Sequence, residues 1–182
     1  MADKKLVILD RDGVINFDSD QYIKSVDEWN IIPDSAAAIA RLCKAGYKVA
    51  VATNQSGLAR GYFSDNILKQ MHDKMCALVE AEGGHISTIK YCPHHPDEGC
   101  DCRKPKIGLL TQISEQLKQP LQGVPFIGDS ISDLKAAIAG NCKPMLVLTG
   151  KGQRTLALQD PLLKSVPQYE NLAQAVDAIL DQ

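Results

Sequence analysis

The chain has 182 residues, 45% of them hydrophobic and 23% charged, and a formal charge of −2. That length suits one globular domain over residues 1–182, and the near-neutral balance argues against nucleic acid or a membrane as partner. The early apolar run from Leu6 to Leu9 is too short for a signal peptide or a membrane span, so the reading is of a cytoplasmic protein.

The first predicted element is a strand from Lys4 to Leu9 that ends in Asp10-Arg11-Asp12-Gly13. Side chains two apart on an extended strand point to one side. One carboxylate can then act as a nucleophile, forming an aspartyl-phosphate, and the other as general acid. Alone, such a pair is weak evidence, because acids at strand ends commonly cap a helix or face water. A helix follows over residues 34–45, capped by Asp34 or Ser35 and stopped by Gly46.

The second strand, 47–53, ends in Thr53-Asn54-Gln55-Ser56-Gly57. A hydroxyl, backbone N–H groups and a tight glycine turn suit phosphate oxygens, although a plain polar turn is the commoner meaning of such a run. Ser64 is placed to cap a helix from Asp65 to about Glu82, with Leu68, Met71, Met75, Leu78 and Val79 forming one apolar stripe. A short strand near residues 86–91 leads into a cluster of Cys92, His94, His95, Cys100 and Cys102. Three thiols and one imidazole within this span suit a closed, tetrahedral zinc site of structural type, with either histidine as the fourth ligand. Cys43, Cys76 and Cys142 lie apart in apolar surroundings and read as small core residues.

Next come Arg103 and Lys104, ahead of a helix over about 106–118. Phosphoryl transfer needs charge neutralised on the equatorial oxygens, which a fixed lysine supplies. Arg103 is suited to bidentate recognition of a second phosphate or of sugar hydroxyls. The strand at 124–128 runs into Asp129-Ser130-Ile131-Ser132-Asp133. Asp10 and Asp129 on neighbouring strand ends would make a Mg²⁺ site, with Asp133 read equally as a further ligand or as an acid at a helix N-terminus. A helix at 131–139, a strand at 145–148, a solvated basic loop at 150–154 and a helix at 170–181 complete the reading.

The strands are near-continuous apolar runs separated by amphipathic helices. That pattern predicts an α/β fold, a doubly wound, Rossmann-like parallel sheet with ligands beyond its carboxyl edge. The order of Asp10-x-Asp12, Thr53, Lys104 and Gly128-Asp129-x-x-x-Asp133 resembles the four motifs of the haloacid dehalogenase superfamily. The resemblance covers roughly residues 6–150. It implies Asp10 as nucleophile, Asp12 as general acid/base, Thr53 and Lys104 as phosphoryl binders, and Asp129 as a Mg²⁺ ligand together with Asp10 and the Asp12 carbonyl.

Cys92-Pro93-His94-His95-Pro96, Cys100-Asp101-Cys102-Arg103-Lys104-Pro105, Asp10 to Asn16 and Thr53 to Phe63 narrow it to the histidinol-phosphatase-like branch. Within that branch the motifs look like those of the heptose-bisphosphate phosphatases. This implies His94 as the fourth zinc ligand, and Asn54, Gln55, Ser56, Arg60 and Arg103 as substrate contacts. It also implies a small sugar bisphosphate as substrate, cleaved at its 7-phosphate on the route to ADP-heptose and the lipopolysaccharide core. Ser56, Asn16 and Ala59-Arg60-Gly61 favour the heptose compound; the short His94–Cys100 loop favours histidinol phosphate. The sequence has no room for an inserted cap domain, so the zinc loop and the 16–24 turn are expected to wall the substrate. A phospho-accepting receiver domain is the rival of another class, and the motif order and zinc loop argue against it. No helix looks apolar on two faces, and a monomer is the expected state.

Overall fold

A computed structural model describes residues 5–181. Lys4, the first residue of the predicted strand, and Met1–Asp3 and Gln182 of the predicted domain lie outside these residues. The elements in chain order are β1 (Leu6–Leu9), α1 (Ser35–Lys44), β2 (Lys48–Asn54), α2 (Asp65–Ala81), β3 (Thr88–Cys92), α3 (Gly108–Leu117), β4 (Pro125–Gly128), α4 (Ile131–Ala139), β5 (Lys143–Val147), α5 (Gly152–Ala157), β6 (Gln168–Tyr169) and α6 (Leu172–Leu180).

All six strands run parallel in one sheet of order β3-β2-β1-β4-β5-β6. Two-residue alternation along each strand sorts the core onto two faces. Val7, Leu9, Val49 and Val51 pack with the buried sides of α1, α2 and α6. Leu6, Ile8, Ala50 and Ala52 pack with α3 and α4. Because the chain winds outward in opposite directions from β1 and β4, a crevice opens past the carboxyl ends of those strands. Among the described residues, α1 alone of the named elements stands between β1 and β2, and α2 alone between β2 and β3, so neither crossover carries a cap.

The helix ends show where side chains cap as expected. Ser64 accepts a hydrogen bond from the Ile67 N–H at 3.2 Å, as its position before α2 implies. Neither predicted cap of α1 works through its side chain. Asp34 occupies the N-cap position in a left-handed conformation without a side-chain cap bond, and the Ser35 hydroxyl donates to the Val14 carbonyl instead. On α2 the buried face consists of Leu68, Met71, His72, Met75 and Val79, while Leu78 is exposed. Of the predicted loop at 150–154, Gly150 and Lys151 are a turn and residues 152–154 begin α5, and β6 was not anticipated; two residues pairing with an edge strand leave too short a pattern to read. Among the described residues no helix is long and apolar enough to cross a membrane.

Candidate active site

β1 delivers Asp10 to the mouth of the crevice. Its Oδ1 accepts a hydrogen bond from the Arg11 N–H at 2.8 Å and faces Lys104 Nζ at 3.0 Å. Lys104 is almost wholly buried, and its ammonium also meets Asp133 Oδ1 at 2.6 Å and the Ala52 carbonyl at 2.7 Å. Asn54, at the end of β2, accepts from the Lys104 N–H at 3.0 Å and donates to its carbonyl at 3.2 Å. Three elements therefore converge on one ammonium, which places the cation beside the predicted nucleophile.

Asp133 was readable from sequence in two ways, and the structure gives it a definite set of partners. Its Oδ2 accepts from the Asp129 N–H, the Ser130 N–H and the Ser130 hydroxyl, closing a capping box at the start of α4. Its other oxygen holds Lys104. Asp129, at the end of β4, has Oδ2 hydrogen-bonded by the Lys151 N–H at 2.7 Å. The backbone at Gly13, with φ of 82°, and at Gly150 runs so close to that carboxylate that a Cβ at either position would collide with it. Glycine is required there by close approach as well as by conformation.

Asp12 is held from three directions. Arg11 forms a fork onto it, Nε to Oδ1 at 3.1 Å and Nη2 to the two oxygens at 2.8 and 3.1 Å. Asn16 Nδ2 donates to Oδ1 at 2.8 Å and Gln55 Nε2 to Oδ2 at 3.0 Å. Gln55 also donates to the Thr53 hydroxyl at 2.9 Å, so these two predicted contacts are joined in one network. Burial would raise the Asp12 pKa, but the Arg11 charge and the hydrogen bonds hold it below the ordinary value.

A cleft of about 260 Å³ opens over these groups and is lined by Asp10, Asp12, Thr53, Asn54, Gln55, Ser56, Arg103, Lys104 and Asp129, among others. Arg60 lies outside this lining: it is exposed and stacks over Tyr22, with its guanidinium 5.5 Å from the ring centroid. Asp18, Ser19, Asp20 and Tyr22 also line the cleft, as expected for the 16–24 turn; the zinc loop, expected to share that role, places none of its residues 92–102 in the lining. Lys151, read from sequence as solvated, lines the cleft and faces Asp18 at 3.6 Å, and Arg154 pairs with Asp20 at 2.8 Å. Sequence reasoning missed this tie because the partners are more than 130 residues apart.

The charge balance suits a bound cation. Asp10, Asp129 and Asp133 place carboxylate oxygens within 4.8 Å of one another, against the one ammonium of Lys104. Burial, then Asp133, push Asp10 up to about 8, and burial with Asp10 raises Asp129 well above the ordinary range. Lys104 is raised too, because Asp10 and Asp133 outweigh the cost of burying it. A hard divalent ion fits both the oxygen donors and the excess of negative charge.

Cys92, His94, Cys100 and Cys102 form a second cluster able to hold a metal. His94 Nδ1 lies 3.5 Å from Cys92 Sγ and 3.2 Å from Cys102 Sγ, and the Cys92 and Cys100 sulfurs are 3.6 Å apart. Ligands of a tetrahedral zinc ion stand about 3.5–3.8 Å from one another, so the donor set fits. His95 is engaged elsewhere: its Nδ1 accepts from the Asp97 N–H and Glu98 returns the bond, capping the short 3₁₀ turn at Pro96–Glu98. Lys106 braces the same loop through the Gly99 and Cys100 carbonyls.

Comparison with known proteins agrees with this geometry. A family model described as HAD-hydrolase-like matches residues 101–175. The D-glycero-beta-D-manno-heptose-1,7-bisphosphate 7-phosphatase of Pseudomonas aeruginosa is 55% identical over 97% of this chain and 98% of its own length. The chain belongs to the family of these heptose-bisphosphate phosphatases. Among solved structures, the Bordetella bronchiseptica D,D-heptose 1,7-bisphosphate phosphatase, complexed with magnesium and phosphate, superposes with a TM-score of 0.93. It is 48% identical, covering 97% of this chain and 98% of that one. The corresponding enzyme of Burkholderia thailandensis, 40% identical over 98% of this chain and 100% of that one, gives 0.77.

Proposed function

We propose that the chain, as one domain over residues 1–182, is a Mg²⁺-dependent phosphatase that removes the 7-phosphate of D-glycero-β-D-manno-heptose 1,7-bisphosphate, on the route to ADP-heptose and the lipopolysaccharide core. The observation that carries this reading is Asp10 set 3.0 Å from Lys104 beside Asp129, in a chain related along nearly its whole length to enzymes of that name. Asp12, ionised in the free protein, takes up a proton when the phosphate group enters beside it; Asp10 then attacks phosphorus while Asp12 gives that proton to the bridging oxygen as its bond to phosphorus breaks. Asp12, now a carboxylate, takes a proton from water as that water opens the aspartyl-phosphate and frees Asp10. Lys104 and Thr53 stabilise the equatorial oxygens. Asp10, Asp129 and the Asp12 carbonyl would hold Mg²⁺, which when bound offsets negative charge between nucleophile and phosphate. Cys92, His94, Cys100 and Cys102 would hold a structural Zn²⁺. Thiolate ligands of that kind suit a reducing compartment, and the reading is of a cytoplasmic enzyme. It is also of a monomer.

The decisive assay measures phosphate release from both anomers of heptose 1,7-bisphosphate and from histidinol phosphate, each with Mg²⁺ and with EDTA. Release that needs Mg²⁺ and prefers the β anomer is the expected result. Preference for histidinol phosphate would mean that the short zinc loop, and not Ser56 and Asn16, reports the substrate.

Arg103 supplies the second contact. It lines the cleft next to Lys104, and its Nη1 is buried without a partner. A buried donor left unmatched is costly, and a second phosphate would match it. Arg103→Ala is expected to raise KM for the bisphosphate about 10-fold or more, from loss of a charge-assisted hydrogen bond. The same change should leave hydrolysis of a small monophosphate nearly unaltered. An unchanged KM for the bisphosphate would refute the assignment.

A further inference from the structure

Arg11 has no exposed surface at all. A buried guanidinium is tolerated when its donors are matched, since an unmatched one costs more than a hydrogen bond returns. The fork onto Asp12 uses Nε and Nη2. The remaining terminal nitrogen, Nη1, faces His72 Nε2 at 3.2 Å, with Met71 Sδ 4.0 Å away. His72 comes from α2, 61 positions along the chain, and is 8% exposed. Because arginine keeps its protons, the contact makes Nε2 the acceptor and the imidazole neutral. Burial, followed by the Arg11 charge, holds His72 down to about 3, in keeping with that state.

We propose that Arg11, aimed by neutral His72, is the positioning residue for the general acid/base Asp12, so that a side chain remote from substrate sets the rate of leaving-group protonation. This rests on the phosphatase reading above. Asp12 must return to one place in both half-reactions, first to give a proton to the sugar oxygen and then to take one from water. The planar fork sets the orientation of the carboxylate, which a point charge does not. His72 fixes the plane of the fork from the third nitrogen. Asn16 and Gln55 hold the oxygens from other directions, but each through one bond that permits rotation.

The leaving group separates positioning from mere stability. A sugar alkoxide is a strong base and needs the proton from Asp12, whereas p-nitrophenolate leaves unaided. His72→Leu is expected to lower kcat/KM, which ends with departure of the leaving group, by about 10-fold on an alkyl phosphomonoester and by less than about 2-fold on p-nitrophenyl phosphate, while kcat, which also contains opening of the aspartyl-phosphate by water, falls on both. His72→Gln, whose carbonyl can accept from Nη1, should recover most of the loss. Arg11→Lys keeps the charge without the fork and should reproduce the leaving-group-dependent loss. Should His72→Leu be too unstable to assay, the same ratio measured on Arg11→Lys decides the matter. Equal losses in kcat/KM on both substrates, or no loss on the alkyl ester, would overturn the proposal. Heptose bisphosphate serves as the alkyl ester if the native enzyme cleaves it, and glycerol phosphate if it does not, so failure of the substrate assignment is seen separately.

Discussion

Asp10→Asn is expected to abolish phosphate release, by roughly 10⁴-fold or more, while making the metal-free protein more stable at neutral pH. The loss follows because an amide forms no aspartyl-phosphate. The gain follows from electrostatics. Burial and Asp133 push the folded-state pKa of Asp10 up to about 8 from 3.8. Between those values the folded chain binds more protons than the unfolded one, so stability falls as pH rises through that window. Asparagine has nothing to ionise and removes this contribution, leaving that of Asp129. Thermal unfolding of both proteins in EDTA at pH 5 and pH 8 tests this: the native protein should lose more stability between the two than the variant. Mg²⁺ should restore the native protein at pH 8 and do less for the variant. Residual turnover by Asp10→Asn near the native rate would remove Asp10 as nucleophile.

The positions of the main elements and of Asp10, Asp12, Thr53 and Asp129 were legible because each relevant strand is a run of apolar residues that stops at a polar one, whereas Lys104, in a loop ahead of α3, was singled out by its charge and by the order of the motifs. A parallel sheet buried on both faces leaves that signature, and its topology brings the strand ends together. What could not be read was pairing across the fold. Arg11 looks like any solvated arginine beside acids until α2 covers it. A local signal did exist for His72, which is four residues after Leu68 and three before Met75 and so shares their helical face. Leu78 was placed on that face by hydrophobicity alone and proved exposed. The choice between His94 and His95 rested on family resemblance; geometry separates them because His95 is committed to the turn at Pro96–Glu98.

Arg60 shows the same limit from the other side. Its motif suggested a substrate contact, yet in the structure it stacks on Tyr22, whose ring meets Tyr62 edge-on at 5.0 Å. It supports the cleft wall on one flank as Arg154 does through Asp20 on the other. With no cap over the cleft, such ties on the 18–22 segment take the place of a lid in shaping access to Asp10.

Loss of the zinc loop should be nearly as damaging as loss of the nucleophile, by a different route. Cys102 stands two residues before Lys104, and the Cys92 end of the loop continues β3. The Asn54 bonds hold the Lys104 backbone from one side; the metal cluster would fix the chain entering it from the other. Burial pushes the Cys92 thiol up to about 12, so zinc must displace its proton to bind, and the ion then holds three ligating sulfurs in a loop that lacks other regular structure than one 3₁₀ turn. Structural zinc contributes folding free energy of the order of 10 kcal/mol in small domains, of which a larger fold feels a part. Cys102→Ser is therefore expected to lower Tm by roughly 10 °C or more and to cut turnover in saturating Mg²⁺. Zinc content measured by atomic absorption should be near one per native chain and well below that in the variant. Because Mg²⁺ is in excess throughout, the lost activity reports the placement of Arg103 and Lys104 and not the catalytic ion. A native protein free of zinc, or a Cys102→Ser protein with unaltered Tm and turnover, would show that the thiols are not what holds Lys104 in place.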